Sequence, residues 1–328
     1  MLRVFSLESG RMICAPDGPL APGREPPANA LWYDLHDPTD AERAFVDARA
    51  RVEVPTRADV EEIEVSSRLY RENGAEYMTI NAITGFQSPE GPQKTPVMFI
   101  LSEDTLVTLR YAHVRPFENV AERAARNGGI GSRGEQIMLA LIEALVDRLA
   151  DALEQIGGDI DGISRRVFRA KVGSSRAHGD LEATIAMVGR QGEVLGLVRE
   201  SLVSFNRLIG YHEGSGPLGL TGEAKGRTKT IARDVASLSD HASYLGGKVA
   251  FLLDATLGLI NLEQNQIIKI FSIAAVCLMP PTLVASVYGM NFKHIPELDW
   301  EFGYPMALVM MLVTGLAPYL YFKRRGWL

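Results

Sequence analysis

Two stretches near the C-terminal end set the class of this chain. Between Lys269 and Lys293, and again between Glu301 and Lys323, no charged residue occurs. Each run exceeds the roughly 18 apolar residues that mark a candidate membrane-spanning helix. A pair of buried core helices is the soluble alternative, but two charge-free runs of this length rarely share one soluble domain. Pro280, Pro281 and Pro318 fall inside the runs. Packed membrane helices tolerate such residues where a soluble helix would break. Tyr288, Trp300, Tyr304, Tyr319, Tyr321 and Trp327 gather near the run ends, as an interfacial aromatic belt does. The whole-chain mean hydropathy of +0.02 conceals this, because the apolar residues are not spread evenly.

Basic residues orient the two spans. Lys269 precedes the first, and Lys323, Arg324 and Arg325 follow the second. The connecting loop holds Lys293 with Glu297, Asp299 and Glu301. The positive-inside rule then puts both termini in the cytoplasm and the short loop outside. The opening MLRVFSLESGRMICAPDG lacks the apolar stretch of a signal peptide, so about 265 residues are expected to stay cytosolic. Cys14 fits that reducing compartment. A net charge of −6 argues against a nucleic-acid partner, and two cysteines cannot build a disulfide framework or a Cys-based zinc site.

The cytosolic part reads as two regions. Residues 1–30 suggest a strand followed by loop, and Leu31–Leu35 a short strand. Asp37-Pro38-Thr39-Asp40 supplies helix-start chemistry before ERAFVDAR. Residues 57–70 read as one helix. Glu76–Ile83, Pro96–Leu101 and Thr105–Tyr111 read as strands, with a hairpin turn at Ser102–Glu103–Asp104. Helix and strand mix over residues 1–115, which gives an α/β domain, residues 1–130, with a partly antiparallel sheet.

From Glu135 the period becomes helical, and residues 131–266 read as a stalk. Leu141, Leu145, Leu149, Leu153, Ile156, Ile160, Ile163 and Val167 step by three or four. So do Leu181, Ile185, Val188, Leu195, Val198 and Leu202, and then Ile231, Val235, Leu238, Leu245, Val249, Leu252, Thr256 and Leu259. The glycine-rich stretch Gly210–Gly226 reads as the turn between the last two helices. No proline lies between Pro217 and Pro280, so the last stalk helix can run directly into the first span. At 1.5 Å per residue, about 60 residues would reach roughly 90 Å, which calls for partners along its length. The remaining divisions are 267–290 for the first span, 291–302 for the outer loop, 303–323 for the second span and 324–328 for a basic tail.

Enzyme motifs fail on context, and no enzyme is expected. Gly129-Ile-Gly131-Ser-Arg-Gly134 matches G-x-G-x-x-G but follows a helical, Arg-rich stretch instead of a strand. The six histidines are scattered and neither cysteine has a nearby His. His241 beside Asp240 reads as a surface pair, and Glu61-Glu62-Ile63-Glu64 as a solvated helix face. No nucleophile elbow, kinase signature or P-loop is present.

The outer end of the first span carries Tyr288-Gly289-Met290-Asn291-Phe292, followed by Ile295-Pro296-Glu297-Leu298. Here the sequence resembles the CorA family of divalent-cation transporters, whose signature is Gly-Met-Asn at this place with a Met-Pro-Glu-Leu-like loop. GLINLEQNQIIKIFS before the span, MPPTLVAS within it and YLYFKRRGWL at the end look like the proteobacterial magnesium-transporting branch. The resemblance implies an inner-membrane homopentamer whose five first spans line a central pore. It implies transport of Mg²⁺, with Co²⁺ and Ni²⁺ as further cargo. Asn265, Ile268, Phe271, Ala275, Met279, Thr282, Ser286 and Asn291 match the family's pore-facing positions, although some members carry Gly where Ser286 stands.

The residues themselves fit that implication. Positions 265, 272, 279 and 286 are Asn, Ser, Met and Ser, and positions 268, 275, 282 and 289 are Ile, Ala, Thr and Gly. Such a small or polar stripe suits a pore or a tight helix interface. The resemblance also implies regulatory Mg²⁺ between neighbouring cytosolic domains. Asp254, Asp240 and Asp234 on the long helix, with Glu103 and Asp104 at the hairpin, are the candidate ligands. The loop acids Glu297, Asp299 and Glu301 would concentrate cations at the mouth. Lys323, Arg324 and Arg325 suit anionic lipid. Lys293 and His294 depart from the family pattern, which keeps a zinc-transporting member of the same superfamily in view. A membrane-tethered sensor that conducts nothing is the reading from another class.

Overall fold

The computed structural model describes residues 1–8, 11–14, 29–62, 64–86, 88–103, 105–127, 131–169, 177–214, 222–291 and 296–327. The chain divides into two compact units, residues 1–163 with 187–251, and residues 164–186 with 252–328.

The first unit is built on a seven-stranded sheet. Its strands are β1 (Leu2–Glu8), β2 (Arg11–Cys14), β3 (Ala30–His36), β4 (Leu69–Glu72), β5 (Ala75–Thr84), β6 (Gln93–Ser102) and β7 (Thr105–Arg110), in the order β2-β1-β3-β7-β6-β5-β4. Only β3 and β7 run parallel. The central strands do not alternate polar with apolar, because both faces are covered. Along each strand successive side chains go to opposite faces. Val4, Tyr33, Leu35, Met98, Ile100, Val107 and Leu109 join Val46 and Val60 in one core cluster. Val46 belongs to α1 (Asp40–Ala50) and Val60 to α2 (Arg57–Glu61). On the other face Phe5 stacks on Trp32 at 4.4 Å, and Trp32 and Phe99 each lie 6.3 Å from Phe117 of α4 (Arg115–Asn127). Pro96 sits in β6 just beyond the last β6–β7 pair, Val97 with Arg110, where that ladder has no donor to lose.

α1 starts as its sequence directs. Thr39 accepts from the Glu42 N–H at 3.3 Å, and Glu42 accepts from the Thr39 N–H at 2.9 Å, a reciprocal cap. Residues 57–70, expected as one helix, are instead α2, a single turn α3 (Val65–Arg68) and β4. Asn73 and Gly74, at φ 48° and 83°, make the two-residue turn that folds β4 onto β5. Residues 1–30 hold two strands, β1 and β2, where one was expected; 15–28 lie outside the described residues.

Three long helices complete the architecture: α5 (Gly134–Arg169), α6 (Ala177–Gly214) and α7 (Gly222–Tyr288). Leu141, Leu145, Leu149, Leu153, Val198, Leu202, Ile231, Val235 and Leu245 are all buried along the seams. α6 passes through Gly210 instead of turning there, and residues 215–221 lie outside the described set. The reason is His212. It is buried in the last turn of α6, its Nδ1 2.8 Å from Glu76 Oε2 and its Nε2 3.5 Å from Glu135 Oε1, which pins the helix end to β5 and α5. Burial pushes the Glu135 carboxyl up despite the pull of His212 and Arg133. Glycine 129 and Ile130 lie outside the described residues, Gly134 opens α5, and the preceding element is helix α4, so the strand–turn–helix setting of a dinucleotide loop is absent there.

The second unit contains the apolar helices. α7 runs without a break through Pro280 and Pro281, and α8 (Gly303–Arg324) continues through Pro318. Their most apolar windows have mean hydropathies of 2.0 and 1.6, and only 6% of each window is buried. A soluble core helix of that hydropathy would be covered; these two present apolar surface to their surroundings, as membrane helices do.

Candidate functional site

α7 and α8 each use one stripe to pair with the other. Within residues 267–288 of α7 the least exposed are Lys269, Ile273, Cys277, Pro280, Pro281, Val284 and Tyr288. On α8 they are Gly303, Met306, Ala307, Met311, Thr314, Gly315, Pro318 and Phe322. Both sets step by three or four, one face of a helix. Gly315 marks a close approach: a Cβ there would stand 3.1 Å from Pro281 Cγ and 3.3 Å from the Cys277 carbonyl. Pro281 has no N–H for that carbonyl, and glycine lets α8 lie against it. Lys269 lies over the Trp327 ring at 5.2 Å, closing the other end of the pair.

Replacing Gly315 with leucine should drive the helices apart. Overpacking of this kind costs about 1–3 kcal/mol. The expected result is a loss of roughly 2–10 °C in the melting temperature of the detergent-solubilised chain, with alanine giving a smaller loss. An unchanged melt for leucine would show that the two helices do not meet there.

The residues singled out as pore-facing all lie on the exposed side of α7. Asn265, Ile268, Phe271, Ala275, Met279, Thr282 and Ser286 are exposed, with Phe271 at 71% and Met279 at 70%. At about 100° per residue their mean direction falls nearly opposite the α8-facing stripe. One side of α7 is therefore taken by α8, and the other carries the small, polar and apolar residues of the sequence pattern without a cover from the described residues of its own chain.

The Gly-Met-Asn segment closes the helix. The Gly289 N–H donates to the Ala285 carbonyl at 2.9 Å and the Met290 N–H to Val287 at 3.3 Å. A Cβ at Gly289 would meet the Ala285 oxygen at 3.0 Å, so a side chain there would crowd the last turn. Met290 is 49% exposed, and Asn291 stands exposed just past the helix end. A helix C-terminus is the negative end of the macrodipole and presents unpaired carbonyls, a setting that favours a cation.

Phe292, Lys293, His294 and Ile295 lie outside the described residues, as does the side chain of Asp299. Glu297 belongs to a one-turn 3-10 helix, Pro296–Asp299, and Glu301 is exposed. Trp300, Phe302 and Tyr304 are exposed at one end of α8, and Tyr319, Tyr321 and Trp327 at the other.

The acids considered for regulation are not gathered within one chain. Asp234, Asp240, Asp254 and Glu103 are exposed, and Asp104 lies outside the described residues. Among the described residues no three His, Cys, Asp or Glu side chains stand at metal-ligand spacing. His241 packs beside Tyr244 at 6.2 Å, and Glu61 pairs with Arg57 at 2.7 Å. Sequence reasoning passed over one feature. Burial pushes the Asp147 carboxyl of α5 up, and Glu143, Asp151 and Asp234 add to it against Arg123. Arg227 answers Glu143 through two bonds of 3.0 and 2.7 Å. The spacing 143, 147, 151 was the available signal, hidden among the apolar seam positions.

Known proteins bear on this geometry. The profile of the family described as "CorA-like Mg2+ transporter protein" matches residues 27–324. The magnesium transport protein CorA of Escherichia coli K12 is 34% identical over 329 aligned positions, covering all of both chains. Among solved structures, the complete CorA magnesium transporter from Methanocaldococcus jannaschii superposes with a TM-score of 0.79 at 16% identity, over 100% of this chain and 99% of that one. The ZntB cytoplasmic domain from Vibrio parahaemolyticus gives 0.59 at 13% identity, over 79% of this chain and 97% of that one.

Proposed function

The chain belongs to the CorA family of Mg²⁺ transporters, and we propose that it is an inner-membrane channel admitting Mg²⁺ to the cytoplasm through a pore lined by five copies of α7. The observation that carries this reading is the division of α7 into two faces. α8 takes one, and the face bearing Asn265, Ile268, Phe271, Ala275, Met279, Thr282 and Ser286 is left for other copies of the same helix. We place residues 267–290 and 303–323 in the membrane, 291–302 outside, and residues 1–266 with the basic tail inside.

Mg²⁺ demands near-ideal octahedral geometry and dehydrates reluctantly. The proposed pore face has no carboxylate to strip it. Five Asn291 side chains instead offer a ring of amide oxygens to first-shell water. Ile268, Phe271 and Met279 form apolar constrictions that close by dewetting. Glu297, Asp299 and Glu301, repeated around the mouth, raise the local cation concentration. The inside-negative potential does the driving. At about 2.3 kcal/mol per charge per 100 mV, a divalent ion gains about 4.6 kcal/mol, so entry needs no pump. The same hydrated-ion selection admits Co²⁺ and Ni²⁺. Lys323, Arg324 and Arg325 rest against anionic headgroups of the inner leaflet.

Mg²⁺ feedback acts between subunits. The exposed Asp234, Asp240 and Asp254 of one copy, with Glu103 and Asp104 of a neighbour, supply the oxygen ligands that a hard cation needs. The test is ion entry into liposomes holding a Mg²⁺-sensitive dye, with Co²⁺ and Zn²⁺ arms read by their own dyes. Mg²⁺ entry is expected in wild type, slowed when the cytosolic face is bathed in millimolar Mg²⁺ and not slowed in Asp254→Asn. Zn²⁺ entry without Mg²⁺ entry would move the chain to zinc transport. No entry of any ion would leave a non-conducting sensor. Full shut-off in Asp254→Asn would remove that residue from the regulatory site.

A further inference from the structure

β4 pairs with β5 only as far as Met78, opposite Leu69, whereas β5 continues to Thr84. An uncovered strand edge normally needs a partner. Here α6 supplies it with hydroxyls. Ser204 Oγ accepts from the Asn81 N–H at 3.0 Å, and Ser201 Oγ donates to the Asn81 carbonyl at 2.5 Å. Where the strand stops and the helix takes over, a notch of about 300 Å³ remains, lined by Arg68, Thr79, Asn81, Lys94, Ser204 and Arg207, with Glu200 at its edge. That volume is at the lower end of the range for small-molecule sites.

The notch has an unbalanced chemistry. Its three cations face one carboxylate, and Glu200 is committed to Lys94 at 2.7 Å. Among the described residues Arg68 is held by neutral acceptors, the Glu62 carbonyl at 2.7 Å and Asn81 Oδ1 at 3.1 Å, and meets no carboxylate. Arg207 makes no ion pair or hydrogen bond to another described residue. Thr79 is 3% exposed, and its hydroxyl finds no hydrogen-bond partner among the described residues. Buried hydroxyls are rarely left so.

We propose that this notch binds a small soluble phosphate-bearing solute. The net two positive charges match a phosphate monoester, which carries about −1.5 to −2 at pH 7. Guanidinium forks suit its oxygens, and Thr79 supplies a hydroxyl at the floor. This binding is separate from the transport proposed above and stands or falls independently of it.

The test is isothermal titration of the full-length chain in nanodiscs of zwitterionic lipid, with Mg²⁺ chelated, using inorganic phosphate and glycerol phosphate as probes. One saturable site per chain is expected. Arg207→Gln and Lys94→Gln should each weaken it tenfold or more while keeping the wild-type melt in phosphate-free buffer. Thr79→Val, which preserves shape, should weaken it too. Absence of saturation by about 10 mM, or equal affinity in the Arg207 and Lys94 variants, would overturn the proposal. Loss of phosphate binding when phosphatidylglycerol enters the nanodisc would overturn the soluble ligand in favour of a lipid headgroup.

Discussion

Asn291→Ala is expected to reduce Mg²⁺ entry into proteoliposomes about a hundredfold, towards the leak of empty vesicles. Asn291 stands just beyond the last turn of α7, where the helix carbonyls already give a weak negative end. Alanine keeps that end and removes only the amide. A net hydrogen bond is worth about 0.5–1.5 kcal/mol. Five lost together amount to several kcal/mol, and each 1.4 kcal/mol is about tenfold in occupancy. The sum is an upper figure, because water replaces part of what is lost and the five act on one ion. Half of a mid-range sum of about 5 kcal/mol is about 2.5 kcal/mol, close to a hundredfold. Fold and assembly should be unaffected, since the side chain is exposed and makes no hydrogen bond to another described residue. The measurement is therefore flux alongside the mass of the detergent-solubilised complex. An assembled Asn291→Ala protein that still conducts at the wild-type rate would separate the Gly-Met-Asn segment from selectivity.

Legibility in the sequence followed the physical period of each feature. The long helices were readable because Leu141, Leu145, Leu149 and Leu153 repeat a local spacing and bury together. The membrane class was readable because charge is absent over whole spans. β4 is hidden because the helical reading of residues 57–70 runs into Leu69 and Tyr70, while Asn73-Gly74 is the hairpin signal that places the strand. The α8-facing stripe of α7 was illegible for a different reason. In lipid, Ile273 against a neighbouring helix and Leu278 against acyl chains are equally apolar, so composition does not separate the two faces. Gly315 gave no hint either, since its value lies in the Cys277 carbonyl and Pro281 ring it admits. The acids proposed for regulation, Asp234, Asp240 and Asp254, mark the limit of a single chain: contributors to a site shared between copies, as proposed, would each stand exposed in one copy, as these do.

The most consequential residue that sequence reasoning passed over is Asp34, and it carries the largest stability prediction. LWYDL read as a strand, but nothing local marked its acid as 0% exposed. Its partners lie far away in sequence. Arg110, 1% exposed, reaches it with Nη2 at 3.0 Å and Nε at 3.2 Å; Arg3 adds Nη2 at 2.6 Å and Thr108 its hydroxyl at 3.0 Å. Trp32 Nε1 in turn donates to Thr108 at 2.9 Å. The network fastens β1, β3 and β7, the one parallel pairing included. Burial alone would raise the Asp34 carboxyl, but the bonds and charge of Arg110, with Arg3, overcome it and hold it below the usual carboxylate range.

A depressed folded-state pKa stabilises the native state above the unfolded value of about 3.9, and that increment is lost progressively as pH falls from there through the lower folded-state value. Wild type should therefore weaken from about pH 5 downward. Asp34→Leu strands the Arg110 guanidinium without a carboxylate, which costs about 3–5 kcal/mol. That is a fifth or more of a typical domain's stability of about 5–15 kcal/mol. The loss should be largest at neutral pH and shrink in acid, because wild type forfeits the same ion pair there. Trp32 fluorescence reads the transition in a full-length chain with Trp300→Phe and Trp327→Phe, followed through urea at several pH values. Adding Arg110→Met to Asp34→Leu should recover part of the loss, since the stranded charge goes with it. A loss under about 1 kcal/mol for Asp34→Leu alone, or one that does not change with pH, would show that the sheet does not depend on this pair.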